Sequence, residues 1–200
     1  MAVPAHRLLV LTDASQTRGG TPADLVEQVC RARVGGPFSL ILREKALPAY
    51  RRRDLATELS RRLPDVEVIV ADPGWPVTAC HLSAHARLPT ARPRLVGRSI
   101  HRGEHPGSVD YVTYSPIYAT ASKPGYGPVE GETGLRDACH RLRIPVYALA
   151  GVESAERVVA TRRAGAHGVA VMGAIMRADD PAEIVRRITD ALSSPIRPTG

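Results

Sequence analysis

The sequence predicts an α/β fold: a compact (β/α)8 TIM barrel made by residues 1–200 as a single domain. Three observations lead there. Eight short apolar runs rich in Val, Leu and Ile recur along the chain. Most are followed by stretches with helical spacing, the pattern of parallel β/α units. The last units are the most regular, with cap residues at their starts. An open doubly wound sheet shares the alternation, but eight such units favour closure into a barrel.

The elements follow in order. "LLVLT" (8–12) reads as the first strand. A helix over 21–32 opens with Thr21 as cap and Pro22 at its first position, where a missing N–H costs nothing. "FSLILRE" (38–44) is a strand, 52–63 a helix, and "VEVIVA" (66–71) the third strand. The stretch from Asp72 to Pro89 is too rich in proline for a full helix, and "CHL" (80–82) within it reads as a short fourth strand. "RLVGRSI" (94–100) is the fifth, and the "HRGEHPGSV" after it is again too short for a helix. Helices are therefore expected to be shortened or missing after strands three and five. "DYVTYSPIY" (110–118) is the sixth strand, 132–142 a helix and "IPVYALAG" (144–151) the seventh strand. Ser154 caps a helix that Gly165 stops. "GVAVMGAIM" (168–176) reads as the eighth strand, and Asp180-Pro181 opens the last helix, over 180–192.

Composition bounds the partners. The formal charge is +7. The arginines are dispersed, and their one dense cluster, at 51–62, reads as a solvated helix face. Basic residues are not interleaved with aromatics, so no nucleic-acid platform is expected. The N-terminal apolar run is too short for a membrane span or a signal peptide. Three cysteines at irregular spacing, Cys30, Cys80 and Cys139, fit a reducing, cytoplasmic setting and no zinc site. Oligomeric state stays open, a homo-oligomer included.

Only two lysines occur, Lys45 and Lys123; the remaining basic side chains are arginine. Both fall just beyond strands, the face where such barrels carry their chemistry. The same face gathers Arg43, Asp72, His81, His101, Thr120, Ser122, Gly151, Gly173 and Ala174. Phosphates in barrels commonly bind after strands seven and eight, where Gly151 and Gly173 would let backbone N–H groups approach an oxyanion. Tight strand-to-helix turns explain the same glycines without a ligand.

Five segments carry a resemblance: "LREK", "GRSIH", "DYVTYSPIYATASK", "IPVYALAGV" and "AGAHGVAVMGAI". In order and spacing they resemble the thiamine phosphate synthase and TenI superfamily over nearly the whole chain. The resemblance implies a barrel that binds a phosphorylated thiazole. It implies a diphosphate end made by Arg43, Lys45, Thr120, Ser122 and Lys123, and a thiazole-phosphate pocket at Gly151, Gly173 and Ala174. Trp75 and Tyr126 are candidate walls for an aromatic ring.

The departures shape the expected activity. Synthases of this kind carry an Asn-Asp pair for Mg²⁺ where this chain has Ala71-Asp72, and a further acidic turn where it has Ala84 and Ala86. Asp72 alone is a thin Mg²⁺ site. TenI-type tautomerases need no metal, but their proton-transfer histidine corresponds to Pro116. His101 is then the candidate proton carrier. The expectation is a TenI-like enzyme without a cofactor, acting on a thiazole phosphate. The alternative is a synthase that also takes a pyrimidine diphosphate, managing with Asp72 and its cations; Mg²⁺ is a cofactor candidate only in that case. A non-catalytic binder of phosphorylated ligands is the third reading.

Overall fold

The computed structural model describes residues 2–120 and 127–196. Eight parallel strands close into a barrel in sequence order. They are β1 (Leu8–Leu11), β2 (Ser39–Leu42), β3 (Val68–Ala71), β4 (Ala79–Leu82), β5 (Leu95–Ile100), β6 (Tyr111–Tyr114), β7 (Val146–Leu149) and β8 (Gly168–Val171). Around them lie α1 (Pro22–Arg33), α2 (Ala49–Arg62), α3 (Gly131–Leu142), α4 (Ala155–Arg163), the short α5 (Gly173–Met176) and α6 (Pro181–Ser193). Leu9 pairs with Ser39 on one side and Ala170 on the other, which joins the first strand to the last.

Period-two alternation along the strands divides the apolar side chains into two layers. Leu9, Leu11, Ile41, Ile69, Leu95, Tyr111 and Tyr147 fill the barrel interior. Leu8, Val10, Leu40, Val96, Val112 and Val169 face outward, into the layer shared with the helices. Space inside is tight: a Cβ on Gly97 would sit 2.1 Å from the Tyr111 ring.

The expected caps form. Thr21 accepts from the Asp24 N–H in a capping box, Ser154 caps α4 and Asp180 caps α6.

Among the described residues no helix follows β3 or β5, as expected, and none follows β4, within the stretch too rich in proline for a full helix. Pro89 and Pro93 break that stretch. Its carbonyls are satisfied instead by Arg98, whose Nη1 donates to the carbonyl oxygens of Ser83 (3.2 Å), Ala84 (2.7 Å) and Ala86 (2.9 Å). A buried guanidinium on the outer face of β5 thus holds the loop that a helix would have ordered.

The eighth strand stops at Val171, and the apolar run continues as α5 from Gly173. A short apolar run does not distinguish strand from helix by periodicity, so residues 173–176 were legible only as a continuation.

Candidate active site

The C-terminal ends of the strands enclose a cavity of about 790 Å³, within the usual range for small-molecule sites. Its wall changes character around the ring. Arg43 and Lys45 stand beyond β2, Ala84 and His85 beyond β4, His101 and Glu104 beyond β5, Pro116 and Thr120 beyond β6, Gly151 beyond β7 and Gly173 beyond β8.

His81 lies at the floor. It is buried, with Nδ1 3.1 Å from the Tyr111 hydroxyl and Nε2 3.0 Å from Ser99 Oγ. Burial pulls its pKa down to about 4, so near neutrality this ring is uncharged and structural. That places it as a hydrogen-bonded core histidine under the cavity.

The cationic end is braced from β1. The Arg43 N–H donates to Thr12 Oγ1 at 2.9 Å, and its guanidinium lies 4.0 Å from the Asp13 carboxylate. Lys45 is exposed beside it. Glu44 between them is buried, and its Oε2 accepts from the Ala14 N–H at 3.1 Å. The β2 tail is thereby tied to the β1 turn, and alternation sends residues 43 and 45 to the cavity.

The turn after β7 is built for close approach. Gly151 has φ +66°, and Ala150 before it has φ +78°. A Cβ on Gly151 would lie 2.6 Å from the Ala119 carbonyl oxygen and 2.7 Å from Tyr118 Cβ. Arg157 fixes the turn from outside, donating to the Gly151 carbonyl at 2.7 Å while lying 4.8 Å from the Tyr118 ring centroid.

Other expected site residues fall elsewhere. Ala174 packs against the outer hydrophobic layer and does not line the cavity. Trp75 is also off the cavity, under the Arg52 guanidinium at 5.6 Å. Ser122, Lys123 and Tyr126 lie outside the described residues.

Asp72 is turned to a structural task. Its Oδ1 accepts from the Ser83 N–H at 2.8 Å, and it does not line the cavity. Among the described residues no group of three His, Cys, Asp or Glu side chains is arranged to hold a metal. Mg²⁺ prefers carboxylate and phosphate oxygens, and the cavity wall near Asp72 offers Ala84 in place of such a donor. Asp72, the expected Mg²⁺ ligand, is therefore committed to the Ser83 turn and is not presented to the cavity.

Sequence reasoning missed Glu104, His85 and Glu153 in the wall. For Glu104 a signal was present: "HRGE" sets a carboxylate three residues after His101, the spacing at which an acid folds back on a turn. Glu104 Oε2 accepts from the His101 N–H at 2.7 Å and lies 3.1 Å from its Nδ1.

The sequence model of one family, described as thiamine monophosphate synthase, matches residues 8–175. The chain belongs to this family. It is thus an enzyme of thiamine biosynthesis in the thiamine phosphate synthase and TenI superfamily. A putative thiamine-phosphate synthase of Geobacter sulfurreducens is 33% identical, over 94% of this chain and 95% of its own length. A thiamine-phosphate synthase of Chloroflexus aurantiacus is 30% identical, over 94% and 93%. Among solved structures, thiamine phosphate pyrophosphorylase from Pyrococcus furiosus superposes with a TM-score of 0.71 at 20% identity, covering 93% of this chain and 95% of that one. At that identity the superposition speaks for the barrel alone. Among the described residues no helix is long and apolar enough to cross a membrane.

Proposed function

We propose that the chain is a thiamine-phosphate synthase-type transferase, joining a hydroxymethylpyrimidine diphosphate to a thiazole phosphate with release of pyrophosphate. One observation carries this reading. The cavity has two ends suited to anions, set apart around the ring: Arg43 and Lys45 beyond β2, and the glycine turns beyond β7 and β8. Two phosphorylated substrates use both ends, whereas a one-phosphate isomerisation uses one. The names of the full-length relatives support the same ordering over the tautomerase first expected.

In this reading the chain's own residues bind, orient and neutralise. Gly151 and Gly173 receive the thiazole phosphate through backbone N–H groups. Arg43 and Lys45 hold the diphosphate and take up the negative charge that grows on it as the C–O bond breaks. The family resemblance assigns Lys123, Thr120 and Ser122 to the diphosphate as well. Asp13, 4.0 Å from the Arg43 guanidinium, adds a loose opposite charge on the β1 side. The partners are small phosphorylated molecules.

Two facts favour a second reading, a metal-independent tautomerase: the missing acidic donors and a histidine–carboxylate pair in the wall. The two readings separate in one experiment. The protein is incubated with thiazole phosphate plus pyrimidine diphosphate, and separately with the thiazole carboxylate phosphate alone. Thiamine phosphate and pyrophosphate in the first tube support the synthase. Isomerisation in the second, with no condensation in the first, supports the tautomerase.

A further inference from the structure

The cavity wall beyond β5 holds a small closed unit. Glu104 Oε2 accepts from the His101 backbone N–H at 2.7 Å. The same oxygen lies 3.1 Å from His101 Nδ1. The Glu104 N–H returns to the His101 carbonyl at 3.2 Å. Two side chains on one tight turn are therefore locked together where no helix follows the strand.

The short Nδ1–carboxylate distance decides where the proton is. Two lone pairs do not sit 3.1 Å apart in a half-buried site without repelling each other. The contact is attractive only with a proton on Nδ1, donated to the carboxylate. Free neutral histidine favours the opposite tautomer, with the proton on Nε2. The turn thus inverts the ordinary preference.

We propose that Glu104 is a positioning residue that fixes His101 as the Nδ1–H tautomer, so that Nε2 is the nitrogen through which His101 exchanges a proton with a cavity ligand. The ligand part rests on the tautomerase reading above, whose reaction moves a proton; the tautomer part stands without it. The groups facing Glu104 are His101 from its own turn and His85 from the loop after β4, with His85 Nε2 3.7 Å from Glu104 Oε1. Burial works to raise the Glu104 pKa, but hydrogen bonds from the His101 backbone and ring hold the carboxyl below its usual range. It therefore stays an acceptor through the neutral range. His85 is highly exposed and adds only a screened contact.

The test is a ¹⁵N spectrum of the imidazoles in the ligand-free, full-length protein at alkaline pH. His101 is assigned by its loss in His101→Gln. The wild type is expected to show a protonated Nδ1 and an unprotonated Nε2 at His101. Glu104→Ala should return it to the Nε2–H form, and Glu104→Gln, which keeps an oxygen acceptor, should retain much of the wild-type pattern. With the thiazole carboxylate phosphate as substrate, whose isomerisation moves a proton, Glu104→Ala should lower kcat by roughly tenfold or more, within the range of a positioned acid–base group, and change KM little. An Nε2–H wild type, or a spectrum unmoved by Glu104→Ala, overturns the proposal. Because no substrate enters the spectroscopic arm, failure of thiazole-phosphate binding would count against the site reading and leave the tautomer result standing.

Discussion

Gly151→Ala tests the phosphate pocket with one methyl group. Two costs follow from the structure. The residue sits at φ +66°, where a Cβ costs about 1–2 kcal/mol. The new Cβ would also lie 2.6 Å from the Ala119 carbonyl oxygen, and a backbone atom cannot rotate away. Overpacking of this kind costs about 1–3 kcal/mol. The sum is about 2–5 kcal/mol, or a fall in melting temperature of roughly 5–15 °C for a chain of this size. A matched control exists: Gly107 has φ +69°, but a Cβ there would meet nothing within 4 Å. Gly107→Ala should show the conformational cost alone, about 1–2 kcal/mol. Melting curves on the three proteins give the steric part by difference. Calorimetry with thiazole phosphate then asks about the site. Relief of the clash must move the turn after β7, so affinity should drop by at least about tenfold, the cost of one charge-assisted hydrogen bond. A Gly151→Ala protein that binds thiazole phosphate like the parent would refute the phosphate assignment.

Further outcomes follow from other parts of the molecule. Arg43→Ala should weaken binding of the pyrimidine diphosphate by about 1.5–3 kcal/mol while leaving thiazole-phosphate affinity within about twofold, read by calorimetry on each substrate. Lys123→Ala should cost a similar amount without lowering the melting temperature, and Lys123→Arg should restore only part of it, since the planar fork replaces a compact ammonium. Equal affinities in all three proteins would remove Lys123 from the site. His81 gives a pH signature. Its pKa is about 4 in the fold against about 6.5 unfolded, so the unfolded chain binds the extra proton between those values. Stability should then fall by up to about 3 kcal/mol as pH drops from about 6.5 to about 4, and this component should vanish in His81→Gln when denaturant unfolding is followed across that range. Asp72→Ala should loosen the turn at Ser83 and lower stability by about 1–2 kcal/mol, with no change in response to Mg²⁺, as measured by unfolding and by turnover with and without chelator.

The fold was legible because its signals are local and repeated. Thr21-Pro22, Ser154 and Asp180-Pro181 announce helix starts by side-chain chemistry alone, and each is a cap in the structure. Strand extents were overread. "DYVTYSPIY" continues apolar past Tyr114, but Ser115 precedes a proline with no N–H to give the ladder. Proline marked the lack of a full helix after β4, but its replacement, Arg98, is twelve or more positions from the carbonyls it serves, and nothing local marks such a partner. The site was legible where strand ends could be counted, which placed Arg43, Lys45, His101, Gly151 and Gly173 in one wall. Ala174 was misplaced because the run after Val171 turns helical and swings it outward. Glu104 was overlooked because its role comes from a turn folding back, not from a strand end.

The central claim is that one cavity brings together two phosphorylated substrates and condenses them without a protein-held metal. The direct measurement is pyrophosphate release, coupled to mass detection of thiamine phosphate, from thiazole phosphate and hydroxymethylpyrimidine diphosphate in chelator and in excess Mg²⁺. Condensation is expected in both, at rates within about threefold, because Arg43 and Lys45 stand in the wall to neutralise the diphosphate while Asp72 does not line the cavity. No thiamine phosphate under either condition, or a rate that collapses in chelator and in Asp72→Ala alike, would contradict it.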